Sequence, residues 1–273
     1  MTPPQSILIR GGRVIDPASG RDEIADVALE GGRVRAIGPA LAPADAQVID
    51  AEGLLVVPGL IDPHVHLREP GGEHKETIES GSRAAVAGGF TTVCCMPNTT
   101  PALDTPEMLD VVRLRAQERA LCRVFPVAAA TKGRRGEELA EIDLCVQAGA
   151  VGFSDDGDVI ASAGVMRRVL QAVEPTGLAF MQHCQEPTLT TGSVMNAGEV
   201  SVRLGLTGWP KVAEEVIIER DIRLNRGIGA RYHVQHLSSG DSVEIIARGR
   251  AEGQPVTAEA SPHHLLLTDE ACE

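Results

Sequence analysis

Lysine is almost missing from this chain: Lys75, Lys132 and Lys211 are all that occur in 273 residues. Aromatic residues make up only 2%, too few for the stacking platforms on which single-stranded nucleic acids lie. Acidic residues outnumber basic ones 38 to 25, and at a formal net charge of −13 nothing here neutralises phosphates. No nucleic-acid partner is therefore expected. No apolar run approaches the length of a membrane span, so no membrane association is expected. Residues Met1 to Ser6 contain no basic region leading into an apolar stretch, so no signal peptide is expected either. The six cysteines, Cys94, Cys95, Cys122, Cys145, Cys184 and Cys272, form no C-x-x-C pair and no framework spacing. Most sit in apolar contexts, where free cysteine packs as a small hydrophobe, and a reducing cytoplasm is the expected setting.

What is present is a 43% apolar chain, long enough for one barrel or two ordinary domains. It is organised around Pro58-Gly59-Leu60-Ile61-Asp62-Pro63-His64-Val65-His66-Leu67-Arg68-Glu69-Pro70-Gly71. This stretch begins as the end of a buried strand and finishes in a Pro/Gly loop. Strand side chains alternate faces, so His64, His66 and Arg68 are expected to point the same way. Two imidazoles two residues apart can grip one metal ion from one side. The arginine next in the row offers a planar fork for a carboxylate.

Residues Ile7 to Val57 read as short strands joined by turns, with Gly11-Gly12 and Gly31-Gly32 as hairpin signals. From Val56 the rhythm changes to strand, loop, helix. Strands are expected to end at His66, Met96, Ala128, Ser154, Gln182, Leu237 and Glu259. Helices are expected over Lys75 to Gly88, Thr105 to Ala120, Glu137 to Ala148, Ala163 to Val173, Val212 to Leu224 and Ser242 to Ala251, with a long loop before the fifth. Strict alternation argues for a parallel sheet with crossover helices, an α/β fold, and seven units in line fit a (β/α) barrel. In such a barrel the chemistry gathers at the C-terminal strand ends. Those ends carry His64, His66, Asn98, Asp155, Asp156, His183 and His236, a donor set suited to zinc.

At this point the residues resemble the dihydroorotases of the amidohydrolase superfamily. The organising stretch is similar to their signature. The likeness continues through Gly88-Gly89-Phe90-Thr91-Thr92, Met96-Pro97-Asn98-Thr99, Gly152-Phe153-Ser154-Asp155-Asp156-Gly157 and His183-Cys184. Tyr232 to Ser238 and Ser261 to Glu270 complete it. The resemblance implies a metal-dependent hydrolase (β/α)8 barrel over 57–273, with 1–56 forming the N-terminal part of a small β-sandwich. His64 and His66 would hold one zinc, with Asp156 bridging or completing the site, and His183 and His236 a second position, giving one or two Zn(2+) per chain. Arg68 and Asn98 would bind the substrate carboxylate. The implied reaction is the reversible conversion of N-carbamoyl-L-aspartate to L-dihydroorotate in pyrimidine biosynthesis, with zinc activating water and polarising the ring amide.

Related dihydropyrimidinases, allantoinases and hydantoinases place a carboxylated lysine at the fourth strand end. No lysine lies between Lys132 and Lys211, so the chain resembles the type that uses aspartate instead. Family spacing favours Asp156 over Asp155. His233 is expected to be structural, His263 and His264 to pack around the site or touch substrate, His74 to lie on the surface and Cys184 in the core. The chain departs from the family at Glu273, after the seventh strand, so the barrel is expected to be incomplete. No catalytic general acid/base is expected within the chain, because the family's aspartate for that role comes later. Two alternatives stand beside the enzyme: another cyclic-amide hydrolase, and a non-catalytic scaffold for aspartate transcarbamoylase. That protein and a homo-oligomer are the partners left open, besides the small-molecule substrate.

Overall fold

The computed structural model describes residues 6–272; positions 1–5 and 273 of the expected domains lie outside the described residues. The chain divides after Leu60 into two compact units, whereas the expected boundary lies between 56 and 57. In the first unit, β1 (Ser6–Asp16), β2 (Arg21–Glu30), β3 (Arg33–Gly38), β4 (Gln47–Asp50) and β5 (Leu55–Val56) form one sheet. β2 runs antiparallel to β1 and β3, while β4 and β5 run parallel to β1. Gly31-Gly32 turns β2 into β3 with both residues at positive φ, 56° and 73°. Gly11-Gly12 makes no turn. β1 runs through it with a bulge, and Gly11 N–H donates to Asp26 Oδ1 at 2.8 Å. Glycine is needed at position 12 because a Cβ there would stand 2.4 Å from Val56 Cγ2.

The second unit is α/β. It opens with β6 (Leu60–Val65), α1 (Ile78–Ala87), β7 (Phe90–Cys95), α2 (Pro106–Arg119), β8 (Arg123–Pro126), α3 (Ile142–Gln147), β9 (Gly152–Ser154), α4 (Ala163–Val173) and β10 (Ala179–Gln182). The expected long loop is instead an excursion built from α5 (Pro187–Thr190), β11 (Met195–Asn196), α6 (Glu199–Leu204) and β12 (Gly208–Trp209). The chain continues with α7 (Val212–Asn225), β13 (Arg231–Val234), α8 (Gly240–Ala251), β14 (Val256–Ala258) and α9 (Pro262–Leu266).

β6, β7 and β8 are neighbours in that order, as are β9, β10, β13 and β14. A parallel bridge between Ala128 and Phe153 joins the two sets, with Ala128 N–H donating to Gly152 O at 3.0 Å and Ser154 N–H to Ala128 O at 2.9 Å. Strand order thus follows chain order, as crossover helices dictate.

Local chemistry explains the helix limits. Thr77 accepts from Ser80 N–H in a capping box, so α1 starts after it and not at Lys75. Thr105 caps α2, with Pro106 in its first turn. The third helix is shorter than expected because residues before Ile142 pair back in extended form: Thr131 bridges Leu139, and Ala140 N–H donates to Ala130 O at 2.9 Å. α4 buries Val165, Met166, Val169, Leu170 and Val173, a stripe at helical spacing. Each such side chain contributes roughly 1.5–3 kcal/mol of apolar burial.

Both faces of β9 and β10 are covered. Phe153, Phe180, Tyr232 and Val256 pack among the helices, while Met96, Val127 and Met181 form a separate cluster. The alternation is visible within β10, where Phe180 joins the first and Met181 the second.

Candidate metal centre

Asp156 follows β9 and is fixed from the backbone side. Its N–H donates to Ser154 Oγ at 3.0 Å, and its carbonyl accepts from Arg134 Nη1 at 2.9 Å. Its neighbour Asp155 turns the other way. It accepts from Ala130 N–H at 2.9 Å, from Thr131 N–H at 3.0 Å and from the Thr131 hydroxyl. Those three donors anchor the loop after β8 and leave Asp156 to face the imidazoles. Both carboxylates are buried.

The two oxygens of Asp156 serve different histidines. Oδ2 lies 3.5 Å from His64 Nε2 and 3.4 Å from His66 Nε2. Oδ1 lies 3.3 Å from His183 Nδ1 and 3.4 Å from His236 Nε2. The two ring nitrogens on the Oδ2 side are 3.3 Å apart, and those on the Oδ1 side 2.8 Å. Zinc bonds of about 2.0–2.2 Å in a tetrahedron give ligand-to-ligand edges of about 3.3–3.6 Å. The Oδ2 triad matches that edge throughout, and the Oδ1 triad is tighter along its nitrogen pair. Each triad is a group that could hold a metal ion, and Asp156 belongs to both. The donor set therefore fits a divalent metal.

Around these donors sit groups that the sequence reading did not single out. Glu259 Oε1 accepts from His64 Nδ1, and Glu259 Oε2 faces His233 Nε2 at 3.2 Å. Gln185 Oε1 lies 2.8 Å from His183 Nε2. Gln235, fully buried, lies with Nε2 3.2 Å from Met96 Sδ and 3.4 Å from His64 Nδ1. A lone Glu or Gln near a strand end has no spacing signature; only its spatial neighbours reveal it.

Electrostatics follow from this packing. Burial works against both the imidazolium of His64 and the carboxylate of Glu259. Hydrogen bonds to Asp156 and Glu259 outweigh it for His64, raising that ring to about 9. The facing His233 ring and the hydrogen bond from His64 hold Glu259 down at about 2. Burial would likewise raise Asp156, but the hydrogen bonds of His183, His236 and His64 keep it well below the ordinary carboxylate range.

The expected residues fall as follows. His64, His66, Asp156, His183 and His236 come together. Asn98 is adjacent, with Oδ1 2.9 Å from His66 Nδ1. Arg68 does not continue the strand row: β6 ends at Val65, and Arg68 takes a left-handed φ of 58° in the loop beyond. Burial disfavours the imidazolium of His66, and the charge of Arg68 adds to that from nearby. The Arg68 side chain has no hydrogen-bond or ion-pair partner among the described residues. His263 and His264, ring centroids 4.4 Å apart, share a cleft of about 510 Å³ with His64, His66, His236 and Glu259. His74 is exposed, and Cys184 is buried with Sγ 3.4 Å from the Tyr232 hydroxyl. No helix among the described residues is long and apolar enough to cross a membrane.

The chain is 50% identical over 263 residues to a dihydroorotase of Solibacter usitatus, covering 96% of this chain and 61% of that protein. It is 48% identical over 265 residues to a dihydroorotase of Pelotomaculum thermopropionicum, covering 97% and 62%. It thus spans less than two thirds of the length of these curated relatives. Among solved structures it resembles the L-hydantoinase (dihydropyrimidinase) from Arthrobacter aurescens, with a TM-score of 0.82 at 25% identity over 97% of this chain and 60% of that one. It also resembles the D-hydantoinase (dihydropyrimidinase) from a Thermus species, with a TM-score of 0.75 at 28% identity over 96% and 58%. The family model described as dihydro-orotase-like matches residues 53–242, and the chain belongs to that family.

Proposed function

We propose that this chain carries the metal centre and carboxylate-binding groups of a zinc-dependent dihydroorotase, interconverting N-carbamoyl-L-aspartate and L-dihydroorotate. The observation that carries the reading is the division of Asp156 between two histidine pairs, Oδ2 toward His64 and His66 and Oδ1 toward His183 and His236. His64, His66 and Asp156 would hold one zinc, and Asp156, His183 and His236 a second. The single carboxylate contributes a negative charge to both positions, while neutral imidazoles supply the remaining donors. When bound, zinc supplies Lewis-acid polarisation of an amide carbonyl and brings the pKa of a water toward about 7.

The chain's own side chains orient the substrate. Arg68, near His66 and without another partner among the described residues, is assigned to the substrate carboxylate. Asn98 joins it: with Oδ1 accepting from His66 Nδ1, its amide N–H groups remain for that same carboxylate. The same hydrogen bond keeps a proton on His66 Nδ1 and directs Nε2 toward Asp156.

In the fold that accompanies this reading, β6 to β10 with β13 and β14 are seven of the strands of a (β/α)8 barrel, and β1 to β5 belong to the N-terminal part of a small β-sandwich. The likeness to hydantoinases supports the barrel and also favours a second reading, a hydrolase of other cyclic amides. Asp156 argues against it, since the bridge expected in those enzymes is a carboxylated lysine and the stretch between Lys132 and Lys211 has none.

Metal content and substrate selectivity test the proposal. Purified protein should retain zinc, and His64→Ala and His183→Ala should each lose it from one position. Turnover should favour L-dihydroorotate over dihydrouracil, hydantoin and allantoin. Arg68→Ala should weaken carbamoyl aspartate binding by roughly tenfold or more, the share of a charge-assisted hydrogen bond. Zinc content unaffected by both histidine substitutions, or preferential turnover of dihydrouracil, would overturn it.

A further inference from the structure

We propose that Glu259 is a positioning residue for the metal centre, holding the proton of His64 on Nδ1 so that Nε2 is presented beside Asp156. This rests on the zinc reading of the preceding subsection and assigns a role to a residue outside both triads. Glu259 stands just beyond β14, and its backbone is tied at both polar groups. Its N–H donates to Val234 O at 3.0 Å, and its carbonyl accepts from Leu237 N–H at 2.7 Å. The carboxylate is therefore carried on a segment fixed to β13 and to the loop that holds His236.

Each oxygen of the carboxylate has its own imidazole. Oε1 accepts from His64 Nδ1, and Oε2 faces His233 Nε2 at 3.2 Å, off the hydrogen-bonding axis. The other nitrogen of His233 lies 2.8 Å from Thr257 Oγ1 on β14. His233 thus stands between two residues of one segment, beside the carboxylate.

The tautomer of His64 follows by elimination. Gln235 Nε2 also approaches His64 Nδ1, at 3.4 Å. An unprotonated Nδ1 could accept from that amide, but it would then set its lone pair against the Glu259 carboxylate. The closer contact is the one to Glu259, so Nδ1 keeps its hydrogen. Gln235 has other partners: Nε2 lies 3.2 Å from Met96 Sδ, and Oε1 accepts from Ser154 Oγ at 3.2 Å. When the ring gives up its second proton to a metal, the one kept on Nδ1 leaves the lone pair on Nε2, the atom 3.5 Å from Asp156 Oδ2. A carboxylate behind a ligating imidazole also raises the basicity of the opposite nitrogen.

The test compares Glu259→Ala and Glu259→Gln with the unsubstituted protein. Zinc affinity is measured by chelator competition, and the visible spectrum of a cobalt(II)-loaded sample reports the geometry of each position. Glu259→Ala should weaken zinc at the His64–His66–Asp156 position about 10–100-fold, the usual effect of losing such a partner. The His183–His236 position should stay within about twofold of its original affinity on the same basis. Glu259→Gln, whose carbonyl can still accept the Nδ1 hydrogen, should recover most of the loss with an unchanged melting temperature of the metal-free protein. That recovery separates positioning from a purely structural role. If the unsubstituted protein binds zinc and both variants bind it equally well with the same cobalt spectrum, the Glu259 assignment falls and the metal centre stands. If the unsubstituted protein binds no zinc, both fall together.

Discussion

On the Oδ2 side of Asp156 the two imidazoles come from neighbouring positions at one strand end, His64 and His66. On the Oδ1 side, His183 and His236 come from the ends of two different strands. The first pair is aligned by the course of a single segment. The second depends on the parallel pairing of β10 with β13, in which Gln182 is matched to Val234. The outer partners differ as well. His64 is backed by a carboxylate and His66 by an amide oxygen. His183 is backed by the amide oxygen of Gln185, and His236 Nδ1 has no hydrogen-bond partner among the described residues. Local spacing and anionic support thus favour the Oδ2 side, which should hold its metal more tightly.

Removing the group both sides share should have the largest effect. Asp156→Asn keeps one oxygen, loses the charge and presents an N–H₂ group to one imidazole pair. Zinc should be lost from both positions, a drop exceeding the roughly 10–100-fold loss from an outer partner. Metal analysis after dialysis reads this directly. Retention of one full equivalent would mean that one side closes without the carboxylate.

The next effect is on the scaffold of the weaker side. Asp221 of α7 lies fully buried beneath β10 and β13. It accepts from Gln182 Nε2 and the Tyr232 hydroxyl, each at 3.1 Å, and from Arg220 Nε at 2.7 Å. Asp221→Ala would take the charged acceptor from all three donors and should cost about 3–5 kcal/mol of stability, as breaking a buried pair does. Denaturant unfolding measures that loss. Because His183 directly follows Gln182, the variant should weaken zinc on the Oδ1 side and spare the Oδ2 side. Equal weakening of both would mean that the two sides share one support.

The same contrast marks how far the sequence was readable. His64 and His66 announce themselves by spacing. Alternation of adjacent strand residues implied only that one of Asp155 and Asp156 faces the imidazoles; family spacing favoured Asp156, and the loop of Ala130 and Thr131 takes up Asp155. The expected limits of α4, Ala163 to Val173, match the helix, whose buried stripe and Ser162 cap agree with them. The excursion of residues 187–211 was not, since elements of two to six residues carry no measurable period. Arg68 was expected in the strand row, but that row stops at Val65, and the arginine reaches the neighbourhood of His66 from a loop in the left-handed region. Glu259 escaped notice because its partner His64 is 195 residues away and nothing in the sequence joins them.

The smallest effect is the one that most directly opposes the two sides. Gln185 Oε1 accepts from His183 Nε2 at 2.8 Å, and its own Nε2 donates to Thr190 Oγ1 at 2.7 Å, so α5 holds the amide in place. Gln185→Ala frees His183 to carry its hydrogen on either nitrogen, and only the form with the lone pair on Nδ1 faces Asp156. Two tautomers of similar energy in place of one cost a factor of a few, and the lost orientation adds to it. Zinc affinity on the Oδ1 side should therefore fall by up to about tenfold, the lower end for an outer partner, while the Oδ2 side stays unchanged. Glu259→Ala should give the mirror image with a larger amplitude. Chelator competition on both variants reads the two patterns side by side. If Gln185→Ala weakened the Oδ2 side, or matched Glu259→Ala in size, amide and carboxylate supports would be equivalent, and the asymmetry around Asp156 would have no consequence for metal binding.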